Sequence, residues 1–215
     1  LNRFIYFVKE LYKNDKYYVY PIFYSLKKEL GKIVLHDKTY KALLCMKDQE
    51  VVGRLLFTYD YSKKQDKKIC YYSYFDAIND NSVVKELFNF MEKDMKKHKI
   101  DYSEGTYSPF DPDNRRGIMI KGFNELPSIF TSYNYEYYSD LLEDYGFTKA
   151  IDTVLINAMV DHNSKKRLNT FSKFFLRKND VRIDSLDFKN LDRDLKDIEK
   201  ILNQATNEII YQDAP

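Results

Sequence analysis

The stretch "KKICYYSYFDAINDNSVVKELFNFMEK", Lys67 to Lys93, carries a strand into a helix, and its reading decides the fold. Period-two alternation puts Ile69, Tyr71, Ser73 and Phe75 on one face and Cys70, Tyr72 and Tyr74 on the other. Apolar or aromatic residues on both faces predict a strand covered on both sides. From Asn81 the period changes. Val83, Val84, Leu87, Phe88, Met91 and Met95 recur at three- and four-residue steps, which predicts an amphipathic helix. Asn81 or Ser82 offers a side-chain oxygen to cap its first turn.

Upstream, "YKALLCMKDQEVVGRLLFTYDY" reads as two strands around the polar turn Asp48-Gln49-Glu50. Two helical pieces precede it: Arg3 to Asn14, with Phe4, Phe7, Val8 and Leu11 on one face, and Phe23 to Leu30, with Gly31 as its cap. Downstream, "IDYSEGTYSPF" predicts a strand ending in the turn-rich "SPFDPDNRRG". A helix over Tyr135–Tyr145 then stops at Gly146, which adopts the left-handed C-cap cheaply, and a strand is expected over Thr148–Ala158 through Ile151, Val154 and Ile156. The order predicts an α/β (α+β) fold, a mixed central sheet flanked by helices. One domain is expected over 1–162, followed by a basic linker and strand over 163–185. An amphipathic helix over 186–215 carries Leu191, Leu195, Ile198, Ile201, Leu202 and Ala205. A lone helix must bury such a stripe, on the first domain, in a second one, or in a homodimer formed through this C-terminal segment.

Lys+Arg 35 against Asp+Glu 33 gives a net charge of +2, which argues against nucleic acid or an anionic membrane surface as partner. No apolar run approaches a membrane span, and "LNRFIYFVKELY" has no signal-peptide core. Cys45 and Cys70 lie in apolar strand-like runs, as buried thiols do in a reducing compartment, so a cytoplasmic location is expected. His36, His98 and His162 are scattered, so no metal site is expected. "DPDNRRG" lacks the spacing of a calcium loop and reads as a turn.

The hairpin ending in "VVGRL", the strand running into a helix, and the later "N…LLEDYGF" joint resemble the GNAT superfamily of acyl-CoA N-acyltransferases. The resemblance covers about residues 35 to 157. It is most specific over "GIMIKGFNELP" and "YNYEYYSDLLEDYGFTKAID", which are similar to a bacterial branch with two tandem GNAT-like domains. "LDFKNLDRDLKDIEKILNQATNEIIYQDAP" then resembles the start of the second domain.

The resemblance implies transfer of an acyl group from acyl-CoA or acetyl-CoA to the amine of a small molecule or peptide. It implies a strand from Ile69 parallel to the one from Ile100 and splayed from it at one end. The backbone of Tyr74, Phe75 and Asp76 would then hold the pantetheine arm. Asn79, Asn81, Ser82 and Val83 would meet the pyrophosphate at a helix N-terminus, with Asn134 beside the cofactor. The family usually has R/Q-x-x-G-x-G/A in that turn. Here it reads "NDNSVVKE", which suits an ordinary helix cap equally well, and the longer "FDAINDNSVVKE" offers Asp76 and Asp80 before any cation. The family's general-acid tyrosine aligns with Leu142, so Tyr138, one turn earlier, is the candidate acid. Glu104 and Asp76 are candidate bases near strand ends. Two other readings stay open: a binding or structural module that has lost the cofactor loop, and an acyltransferase with a carrier-protein or aminoacyl-tRNA donor.

Overall fold

In the computed structural model, residues 1–112, 114–156, 161–179 and 185–206 are described. They divide between one unit over Leu1–Thr148 and another from Lys149 on. In the first, β1 (Lys41–Lys47) and β2 (Glu50–Ser62) form the expected hairpin, with Lys47 opposite Glu50. Asp48 and Gln49 take φ of 49° and 69°, the twist that a two-residue hairpin turn demands. β3 (Lys67–Ala77) pairs antiparallel with β2, and the short β4 (Ser103–Gly105) pairs parallel with β3. The four strands form a mixed sheet in the order β1-β2-β3-β4.

A bulge in β3 changes which face each residue takes. Leu56 lies opposite Ser73 and Arg54 opposite Asp76, so two steps on β2 span three on β3. The extra residue falls at Tyr74, whose φ is 48°. An added residue reverses the alternation beyond it. Phe75, expected beside Tyr71 and Ser73, therefore packs with Cys70, Tyr72 and Ala77 in the larger core, and Tyr74 packs against the smaller one.

Helices cover both faces of the sheet. On one lies α3 (Asn81–Lys97), whose Val83, Val84, Leu87, Phe88 and Met91 meet Leu55, Phe57 and Tyr72. On the other, α1 (Asn2–Leu11) and α2 (Phe23–His36) bring Phe4, Ile5, Leu26 and Leu30 against Leu56. Each such fully buried side chain contributes about 1.5–3 kcal/mol by leaving water. α4 (Tyr138–Tyr145) joins the larger core through Tyr138, Leu141 and Leu142. It ends as the sequence predicts, on Gly146 with φ 119° and the Phe147 N–H bonded to Leu142 O at 3.0 Å.

Three expectations differ from the structure. α2 does not stop at Gly31 but runs to His36, because Val34 continues the apolar stripe one turn past Leu30. No strand forms over residues 148–156, where Ile151, Val154, Leu155 and Ile156 are exposed, and 157–158 lie outside the described residues. Where a linker is expected, α5 (His162–Lys178) is helical. The Asp161 carboxylate caps it by accepting the Ser164 N–H at 2.6 Å, and Arg177 and Lys178 suit the negative end of its dipole. Of the strand expected next, 180–184 lie outside the described residues. α6 (Leu191–Thr206) is the expected amphipathic helix, with Leu191, Leu195, Ile198 and Leu202 exposed. Among the described residues, no helix is long and apolar enough to cross a membrane.

Candidate functional site

β3 and β4 run together only from Cys70 opposite Ser103 to Tyr72 opposite Gly105, with a last rung from Tyr107 N–H to Tyr72 O at 2.8 Å. Beyond it the two chains part. β3 continues to Ala77, while the other chain is drawn aside at Thr106. The Thr106 carbonyl accepts the Gly117 N–H at 2.8 Å, and its hydroxyl donates to Gly117 O at 2.6 Å. The gap is a cavity of about 300 Å³, lined on the β3 side by Tyr74, Phe75 and Asp76 and opposite by Thr106, Arg115 and residues 127–134. Tyr138 also reaches it.

The wall behind the cavity is a buried ionic network. Arg54, only 1% exposed, donates from Nε to Asp76 Oδ2 at 2.7 Å and holds the same oxygen with Nη2 at 2.6 Å. Its Nη1 donates to Phe4 O at 2.7 Å, tying the sheet to α1. Burial opposes the guanidinium charge, and the Asp76 carboxylate more than restores it, so the Arg54 pKa is raised. On the other carboxylate oxygen converge the hydroxyls of Tyr12, at 3.1 Å, and Tyr138, at 3.3 Å, and the two hydroxyls lie 3.1 Å apart. Burial pushes both phenols well above their usual range, and for Tyr138 the Asp76 charge adds to that. The Tyr138 hydroxyl also accepts the Ala77 N–H at 3.1 Å, and the Tyr137 hydroxyl donates to Ala77 O at 2.8 Å.

The bulge makes this assembly possible. Without the extra residue at Tyr74, Asp76 would face α3 rather than Arg54. The ion pair also alters the charge expected of the turn after β3, because Asp76 is neutralised by Arg54 and only Asp80 remains, with Lys47 Nζ 3.9 Å from its Oδ2. Asp80 sits at the α3 N-terminus, where Oδ1 accepts the Ser82 N–H at 2.8 Å and the Ser82 hydroxyl at 2.7 Å. Those bonds, the side-chain one foremost, lower its pKa. The position at which a helix N-terminus receives an anion is thus held by the chain's own carboxylate.

The structure therefore brings together Tyr74, Phe75, Asp76, Asn134 and Tyr138, all lining the cavity. Asn134 is fully engaged, accepting from Met119 N at 2.7 Å and donating to Tyr135 O at 2.8 Å. Asn79, Asn81 and Ser82 stand apart on the surface, Asn81 bonded to Asp144 at 3.0 Å, and Val83 belongs to the core. Glu104 lies at the closed end of the strand pair, opposite Tyr71, and accepts from Gln65 Nε2 at 2.7 Å. Sequence reasoning missed Arg54 and Tyr12. Arg54 had one available signal: a cation inside the continuous apolar run "VVGRLLF" of a buried strand needs a buried partner. Among the described residues, no three His, Cys, Asp or Glu side chains gather as a metal site would require.

No family model and no curated protein matches the chain. Among solved structures it is similar to a predicted acetyltransferase with acetyl-CoA from Clostridium acetobutylicum, at 8% identity over 73% of this chain and 88% of that one, with a TM-score of 0.46. It is also similar to an aminoglycoside acetyltransferase from an uncultured soil metagenomic sample, in complex with sisomicin, at 10% identity, 74% and 88% coverage and a TM-score of 0.44. A transcriptional regulator from Bacillus halodurans scores 0.45 at 14% identity, covering 73% of this chain and 94% of that one. Overlaps this partial, at identities this low, carry no argument about family or chemistry.

Proposed function

We propose that the chain is an N-acyltransferase of GNAT type, carrying an acyl group from a thioester donor to an amine at the cavity between β3 and β4. The observation that carries this reading is the parting of two parallel strands over a cavity whose lining includes a protonated phenol, Tyr138. In the reaction the amine nitrogen attacks the thioester carbonyl, the carbon–sulfur bond breaks, the departing sulfur takes a proton from Tyr138, and the proton that the nitrogen sheds restores the phenol. Holding the two reactants in register supplies most of the acceleration, and one placed proton donor supplies much of the rest. Tyr138 remains protonated at neutral pH because burial disfavours its phenolate. When it gives up its proton, the Ala77 N–H and the Tyr12 hydroxyl offset part of what burial and the Asp76 charge cost the oxygen left behind. Glu104 has no role in this scheme, and the amine enters as its free base.

Acetyl-CoA is the first donor to test. The carboxylate of Asp80 at the α3 N-terminus favours a second reading, a donor that places no pyrophosphate there. The decisive experiment offers the full chain acetyl-CoA and acetyl-pantetheine with a panel of amines and follows thiol release and product mass. We expect amine-dependent transfer, with acetyl-pantetheine at least as effective as acetyl-CoA. Tyr138→Phe should lose about 100-fold or more in rate. No transfer above the buffer rate from either donor, or an unimpaired Tyr138→Phe, would overturn the proposal.

A further inference from the structure

Two guanidinium groups lie over the Tyr74 ring, Arg54 at 5.6 Å from its centroid and Arg115 at 5.0 Å. Their situations differ. The charge of Arg54 is cancelled by Asp76 within the buried pair. Arg115 lines the cavity, and no carboxylate of the described residues lies within 4 Å of its guanidinium. The nearby Asp111 carboxylate is turned to the Asn114 amide, 2.7 Å away. Around the Tyr74 hydroxyl the two arginines act more strongly than the acids Asp111 and Glu29. The cavity wall thus presents one positive charge that no carboxylate of the described residues balances.

The position of Arg115 is fixed from its backbone. Its N–H donates to Phe130 O at 3.2 Å and its carbonyl accepts the Thr106 hydroxyl at 2.9 Å, at a φ of 53°. It is therefore held by the same residue, Thr106, that turns the chain away from β3. The wall also carries the rings of Tyr18, Tyr74, Phe130 and Tyr133, among polar residues such as Ser128, Thr131 and Ser132. A space of about 300 Å³ is at the small end of ligand sites, enough for one compact molecule.

We infer that the amine acceptor carries a carboxylate, bound by the Arg115 guanidinium, with an apolar or aromatic body against the tyrosines: an amino-acid-like acceptor. This rests on the acyl-transfer reading for the amine, and on Arg115 alone for the carboxylate. A guanidinium fork matches the two oxygens of a carboxylate, and a purely cationic amine meets repulsion from it.

The test is calorimetry on the full chain with three probes that share a ring: L-phenylalanine, phenylacetate and phenethylamine. L-phenylalanine and phenylacetate should bind at least about tenfold more tightly than phenethylamine, as one charged hydrogen-bonded pair supplies. The preference should shrink as salt is raised, a readout that needs no variant. Arg115→Gln should abolish the preference and Arg115→Lys should keep part of it, with circular dichroism reporting the fold of both. Phenethylamine binding as tightly as L-phenylalanine, no binding of any probe, or a preference that survives Arg115→Gln would overturn the inference. Acyl transfer to amines with no bias toward carboxylates would defeat the inference and leave the acyltransferase reading standing. An Arg115-dependent preference without transfer from any thioester would uphold the carboxylate site and defeat the acyltransferase reading.

Discussion

Asp76→Asn removes one charge from the Arg54–Asp76 pair with little change of shape, and the structure sets the size of the effect. Arg54 is 1% exposed, so its charge has no recourse to water once the carboxylate is gone. The asparagine oxygen can keep one bond to the guanidinium. The amide nitrogen, however, must then face the Tyr12 and Tyr138 hydroxyls, which now donate to Asp76 Oδ1 and would have to turn. Breaking a buried pair from one side costs about 3–5 kcal/mol, a large share of the roughly 5–15 kcal/mol that holds a domain folded. Urea unfolding at neutral pH, followed by circular dichroism, should show a lower midpoint with an unchanged slope. Arg54→Met with Asp76→Asn should be less destabilised than the two single changes summed, because neither charge is then left alone. A loss below about 1 kcal/mol for Asp76→Asn, or strict additivity in the double variant, would refute the account of the network.

Alkali should unfold the chain early. Tyr12, Tyr72 and Tyr138 all have raised pKa values, chiefly through burial. Their contribution to stability is therefore complete below the unfolded phenol value of about 10 and is lost as pH rises above it. Urea midpoints that stay level between about pH 8 and 11 would contradict this. Asp80→Asn keeps the α3 cap oxygen and removes its charge, so affinity for acetyl-CoA or inorganic phosphate should rise, most at low salt; calorimetry showing no change would count against an anion-blocking role. Gly105→Ala would set a methyl 2.5–2.6 Å from the Tyr72 ring, so the strand pair below the cavity must shift, at about 1–3 kcal/mol by thermal unfolding. An unchanged melting temperature would show that ring to be free to move.

The sheet and its major helix were legible because their signals are local. The alternation over Ile69–Tyr72, the polar turn at Asp48-Gln49 and the stripe from Val83 to Met95 each fall within one element. The half of β3 beyond Tyr74 was read on the wrong faces, because a bulge is specified by the partner strand and by what lies behind it. That partner information is the Arg54–Asp76 pair, 22 residues apart in sequence, and the Tyr12–Tyr138 contact, 126 apart. The resemblance singles out Tyr138 but not its neighbours, since nothing local marks one tyrosine among 20 as buried against a carboxylate. The run from Thr148 misled for the opposite reason. Its apolar alternation is strand-like, but among the described residues no strand forms there, and Ile151, Val154 and Ile156 are exposed.

The two phenols at Ala77 make to β3 the same pair of bonds that a neighbouring strand would make, one given and one received. β4 has only three residues, so without them the far half of β3 would be an open template for strand addition by other chains. A rung built of side chains protects that template as a strand would, so the sheet is kept from pairing edge to edge by two hydroxyls instead of by a further strand.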